Sequence, residues 1–150
     1  MKILVAYDGS IPAEAAVEEV FRRPWPSGSE IRLVTVIEPF STLVTLDGIG
    51  LYVPVIERIR SNLREKAYDR VHGVLRKMDG RTEIETSCEV REGAVTQSLL
   101  EAIRDWRADL VVVGSCGKSD AARFFLGSVS HGLVTHAPCS VEIVRAPIAA

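Results

Sequence analysis

No uninterrupted apolar run in this chain approaches the ~20 residues that cross a bilayer, so no membrane-spanning helix is expected. The opening Met1-Lys-Ile-Leu-Val-Ala-Tyr-Asp8 is too short in apolar content for a secretion signal, and its strand-like character gives it a structural use. Cysteine is scarce: Cys88, Cys116 and Cys139 cannot all pair, and none stands in C-x-x-C spacing. A reducing cytoplasm is therefore the expected setting. Net charge is only −2, with Lys and Arg dispersed, so a nucleic-acid footprint is absent. No internal repeat and no low-complexity linker divides the 150 residues, which are expected to form one domain over 1–150.

What is present is apolar and periodic. The hydrophobic fraction is 47% and mean hydropathy is +0.14, enough for a substantial core. Strand-like runs at Ile3–Tyr7, Glu30–Ile37, Glu83–Val90, Leu110–Val113 and Ser140–Val144 alternate with helical segments. The helices are expected at about Pro12–Phe21, Pro54–Met78, Val95–Trp106 and Ser128–Thr135. The first and fourth strands are continuous apolar runs, as strands covered on both faces require. In the second helix Ile56, Ile59, Leu63, Ala67, Val71, Leu75 and Met78 recur at three- and four-residue steps, a stripe that suits a sheet. Ser10 before Pro12 is suited to cap the first helix. The succession implies an α/β fold: an open, doubly wound, Rossmann-like parallel sheet of five strands with helices on both faces.

The most specific stretch is Gly114-Ser-Cys-Gly117, followed after nine residues by Gly127-Ser128-Val129-Ser130. It leaves the fourth strand and opens the fourth helix. Glycine lets backbone approach a phosphate that a Cβ would block. A helix start at Gly127-Ser128 offers unpaired N–H groups and the positive end of its dipole to an anion. The hydroxyls of Ser128 and Ser130 can donate to phosphate oxygens or ligate a phosphate-bound Mg²⁺, and Ser115 and Lys118 stand in the same loop. Gly-Lys-Ser/Thr at P-loop spacing is missing, as is the compact Gly-x-Gly-x-x-Gly of dinucleotide folds. Turn geometry alone is the competing use of such glycines.

Gly114-x2-Gly117-x9-Gly127-Ser128 resembles the ATP-binding motif of the universal stress protein family. Lys2-Ile-Leu-Val-Ala-Tyr-Asp8-Gly-Ser10, Val34-Thr-Val36-Ile-Glu-Pro39, Val90-Arg-Glu-Gly93 and Ala108-Asp109-Leu resemble its other units, so the likeness covers nearly the whole chain. The resemblance implies the strand order 3-2-1-4-5 and a ligand crevice between strands one and four, where the order switches direction. It implies ATP, or ADP or AMP, as ligand, with Mg²⁺ held through the phosphates. Asp8 is then placed at the ribose or adenine, with an Asx-turn before Gly9 as its other use. Val36 becomes the adenine neighbour through its main-chain groups, with Ala6 beside it. Cys116 stands where the family often carries a larger polar residue. The family commonly dimerises through its last strand, where Glu142 is a departure that can cross-pair with a basic residue of the partner strand, or weaken that mode and leave another interface dominant.

Other candidates carry less. His131 and His136 are five apart and share no helical face, so no metal set is formed with them, and His72 is expected to be solvated. The apolar connection Phe40–Tyr52 is expected to be a partner surface or a lid. No catalytic residue stands out, since no positioned base accompanies the serines. The expected role is a nucleotide-dependent stress-response regulator that acts through a homodimer or an unidentified protein partner. The alternatives are a slow Mg²⁺-dependent ATPase or phosphoryl-transfer enzyme, and a dimeric scaffold with a vestigial pocket.

Overall fold

A computed structural model describes residues 1–38, 53–78, 80, 84–116 and 126–146. The alternation read from the sequence is present as β1 (Lys2–Ala6), α1 (Ile11–Arg22), β2 (Glu30–Ile37), α2 (Val53–Met78) and β3 (Glu85–Glu92), then α3 (Val95–Trp106), β4 (Leu110–Gly114), α4 (Ser128–His136) and β5 (Ser140–Val144). All neighbouring strands are parallel, in the order β3-β2-β1-β4-β5. The open doubly wound sheet is the expected one.

Two apolar layers sandwich the sheet. One joins Ile3 and Val5 of β1 to Val17, Val20 and Phe21 of α1 and to Val71 and Met78 of α2. The other joins Leu4 of β1 and Val111 of β4 to Leu99, Ile103 and Trp106 of α3 and Leu133 of α4. β1 and β4 lie inside the sheet with helices on both faces, which is why their apolar runs do not alternate. β3 is an edge strand. Its residues Ser87, Glu89 and Arg91 share the sheet face of Arg32 and Val34, where Arg32 donates to Ser87 at 3.2 Å and Arg91 reaches Asp105 of α3 at 2.8 Å, so that face is polar.

Local chemistry accounts for the boundaries. Ser10 Oγ accepts the Ala13 N–H at 3.3 Å and Pro12 stands in the first turn, as expected for α1. β1 ends at Ala6 rather than Tyr7, although Tyr7 N–H still donates to Val34 O at 2.9 Å. β3 is Glu85–Glu92 rather than Glu83–Val90, because its register pairs Glu30 with Glu85 and Ile37 with Glu92. The stripe on α2 holds at Ala67, Val71 and Met78, but Val74 is buried where a different residue was expected, and Leu63 stays 39% exposed. The connection Phe40–Tyr52 lies outside the described residues.

The carboxylate of Glu142 takes a two-pronged contact from Arg23 within the chain, at 2.7 and 2.6 Å. Arg23 follows the end of α1, which packs beside β5, and it also holds Glu19 at 2.8 Å. Both members of the Arg23–Glu142 pair remain partly solvated, so replacing Glu142 by glutamine is expected to cost about 1 kcal/mol or less. Urea melts at low salt and at high salt check this, and the difference from wild type should shrink as salt screens the pair.

Candidate functional site

The carboxyl ends of β1, β2 and β4 open onto a crevice of about 690 Å³. That volume lies within the range that holds a small-molecule ligand, roughly 300–1,000 Å³. Its position is the point where the strand order reverses, between β1 and β4. Ala6, Asp8, Val36, Gly114, Gly127, Ser128, Val129 and Ser130 all line it. Ser115 does not: its N–H donates to Val144 O and its carbonyl accepts the Gly127 N–H, which tie it to β5 and to the start of α4 instead. Gly117 and Lys118 lie outside the described residues.

The β2 end presents main-chain groups to the crevice. Val34 O accepts from Tyr7 on the β1 side, and Ile37 O accepts from Gly93 N–H at 3.0 Å on the β3 side. Main-chain groups alternate along a strand, so those of Val36 point toward β1. β1 has already ended there, leaving the N–H and C=O of Val36 outside that ladder. A planar ring with a donor and an acceptor on one edge would match them. Val34, Leu99 and Val113 add apolar walls.

Asp8 lies at the end of β1 and its Oδ1 accepts the Ser10 N–H at 2.9 Å, with Gly9 at φ 77°. The Asx-turn use is therefore present. Asp8 also lines the crevice. Beside it, Tyr7 donates its hydroxyl to Glu14. Burial, then that bond and the nearby carboxylate, push the phenol well above its ordinary value, so it stays a donor.

At the other end, Gly127 caps α4 without a side-chain bond, and its own N–H is taken by Ser115 O at 2.8 Å. The first helical bond runs from His131 N–H to Gly127 O, so the N–H groups of Ser128, Val129 and Ser130 have no intrahelical acceptor. They are the donors available to an anion. The two serines differ. Ser128 is exposed, whereas Ser130 is 2% exposed and donates its hydroxyl to Gly114 O at 2.7 Å. Ser130 thus ties α4 to β4 through the hydroxyl that was expected to meet a phosphate or Mg²⁺, which leaves its backbone N–H and the Ser128 hydroxyl on the crevice side. Gly114 also serves packing, since a Cβ there would stand 2.7 Å from the Pro12 carbonyl carbon. The donor set therefore fits a phosphorylated ligand at α4 and a ring at β2.

Cys116 lines the crevice, while the thiols of Cys88 and Cys139 are raised by burial and are poor nucleophiles. His72 is exposed, and its ring centre lies 5.3 Å from that of Tyr68 with the planes tilted by 38°. Sequence reasoning missed the α2 wall of the crevice: Leu63, Lys66, Ala67 and Arg70. Their three- and four-residue spacing on one helical face was the available signal. It also missed Thr96 at the start of α3. Among the described residues no helix is long and apolar enough to cross a membrane.

The model of the universal stress protein family matches residues 1–145. A universal stress protein of Methanocaldococcus jannaschii is 27% identical over 146 residues, covering 97% of this chain and 82% of that protein. Among solved structures, a universal stress protein from Lactobacillus plantarum superposes with a TM-score of 0.79 at 21% identity, covering 97% of each chain. A universal stress protein family protein from Arabidopsis thaliana, solved with AMP bound, superposes with a TM-score of 0.58 at 18% identity, covering 98% of this chain and 92% of that one.

Proposed function

The chain belongs to the universal stress protein family, and from that premise we propose that it is a cytoplasmic, homodimeric regulator whose crevice binds an adenine nucleotide. The adenine meets the main chain of Val36 beside Ala6, and Asp8 accepts from the ribose. The phosphates meet the first-turn N–H groups of Ser128–Ser130, with Gly117 and Gly127 leaving room and Lys118 adding charge. Mg²⁺, when ATP brings it, is held by the phosphates and Ser128 Oγ. One observation carries the reading: strand ends and a helix start far apart in sequence converge on one crevice with unpaired donors at both ends. The AMP bound to the Arabidopsis thaliana protein supports it.

Mass spectrometry of small molecules released from freshly purified protein tests the assignment, with calorimetric titration of AMP, ADP and ATP as the quantitative check. A folded protein that retains and binds no adenine nucleotide would leave only the scaffold with a vestigial pocket. Replacing Asp8 by alanine should weaken adenosine and ATP alike, and should also cost about 0.5–2 kcal/mol of stability through the lost bond to Ser10 N–H. Loss for ATP alone would move Asp8 to the phosphates.

Regulation follows from differential affinity. Nucleotide shifts assembly or partner binding by about 1–3 kcal/mol, and the partner tightens nucleotide by the same factor. Hydrogen exchange should show added protection in residues 115–130 and in residues 40–52 when Mg²⁺-ATP is present. Protection limited to the first segment, with several turnovers per second, would replace the switch with an enzyme.

A further inference from the structure

We infer that Lys66 and Arg70 form a second anion subsite, on the α2 wall of the crevice, that holds a phosphate group of the nucleotide beyond the one at α4. The inference rests on the nucleotide reading above and names the ligand more narrowly. Both residues line the crevice, one helical turn apart, on either side of the buried Ala67. Like charges at this spacing weaken a helix, so helix stability does not explain the pair. Arg60 and Arg64 share the same spacing on α2, but both face Glu92, at 2.5 and 3.8 Å. Lys66 and Arg70 carry no such ion pair among the described residues, although two carboxylates, Asp8 and Glu38, line the same crevice. Those acids oppose a ligand with two phosphates unless cations offset them.

The geometry separates the two subsites. α2 packs on β2 and β3, whereas α4 packs against β5 and α3. β2 and β4 lie two strand spacings apart, roughly 10 Å, with the end of β1 between them. Arg70 is close enough to Tyr7 for its charge to act on the hydroxyl, and Tyr7 directly precedes Asp8. The α2 subsite therefore borders the ribose position. A phosphate can reach it from the 2′ or 3′ oxygen of the ribose or as the distal group of a folded polyphosphate chain.

The test compares AMP, ATP and adenosine 3′,5′-bisphosphate by calorimetric titration at fixed ionic strength, on wild type and on a Lys66→Gln, Arg70→Gln double variant. Both positions are exposed on α2, so thermal melting should show the variant folded. Wild type should bind ATP or the bisphosphate at least about tenfold more tightly than AMP, and the variant should erase that preference while holding AMP within about twofold. Loss for the bisphosphate assigns a ribose phosphate, and loss for ATP assigns the distal one. A Lys66→Arg variant should keep the preference. Equal wild-type affinity for all three ligands, a preference that survives in the variant, or an equal fall for AMP would each overturn the subsite. Failure of wild type to bind any of them would overturn the nucleotide reading itself.

Discussion

Replacing Gly114 by alanine should lower the stability of the domain by about 1–3 kcal/mol or more, the range for overpacking a filled interior. The added Cβ would lie 2.7 Å from the Pro12 carbonyl carbon, 2.8 Å from Pro12 Cβ and 2.9 Å from the Ala13 nitrogen. Two of these three atoms are backbone in the first turn of α1, which cannot rotate aside as a flexible side chain would. Relief requires α1 to move off the end of β4. Gly114 O also accepts the Ser130 hydroxyl, so the same movement loosens α4 and its free N–H groups. Nucleotide affinity should therefore fall together with the melting midpoint, which is expected to drop by roughly 2–4 °C per kcal/mol for a domain of this size. A melting curve unchanged from wild type would show that the neighbours give way and that Gly114 has no packing role.

Gly127→Val is expected to separate binding from stability. Gly127 has φ −61° and ψ 156°, an extended conformation that valine adopts readily, so the backbone itself does not demand glycine. Its side chain would stand at the cap of α4, beside the Ser128–Ser130 N–H groups that receive the phosphate in the proposed complex. AMP and ATP affinity should fall by at least about 100-fold, equivalent to roughly 2.7 kcal/mol. Adenosine should lose less, because its contacts lie at Val36 and Asp8. Titration calorimetry with a thermal melt on the same sample decides the matter. A folded variant that binds ATP as wild type does would remove the phosphates from this turn.

The candidate site was legible in the sequence to different depths. Ala6, Asp8, Val36, Gly114 and Gly127–Ser130 do meet in one crevice, because each sits at a strand end or helix start whose place in the parallel fold follows from topology. Ser115 fell outside its lining, where two backbone bonds tie it to Val144 of β5 and to Gly127 at the start of α4. Ser130 was read as a ligand from its hydroxyl, but its depth of burial gives that hydroxyl to Gly114 O. Exposure is not written in a Gly-Ser-Val-Ser string.

The sequence by itself determined the alternation of strands and helices, the two central strands and the cap at Ser10. These depend on side-chain period and on sterics within a few residues, which the chain carries wherever it is. Only the tertiary structure decided that Arg23 would hold Glu142, 119 positions away, that Pro12 would fill the space beside Gly114, and that Lys66 and Arg70 would face the crevice. Those contacts arise when helices dock over a twisted sheet. Which distant side chains then come within a few ångströms depends on the docking, and no local period records it.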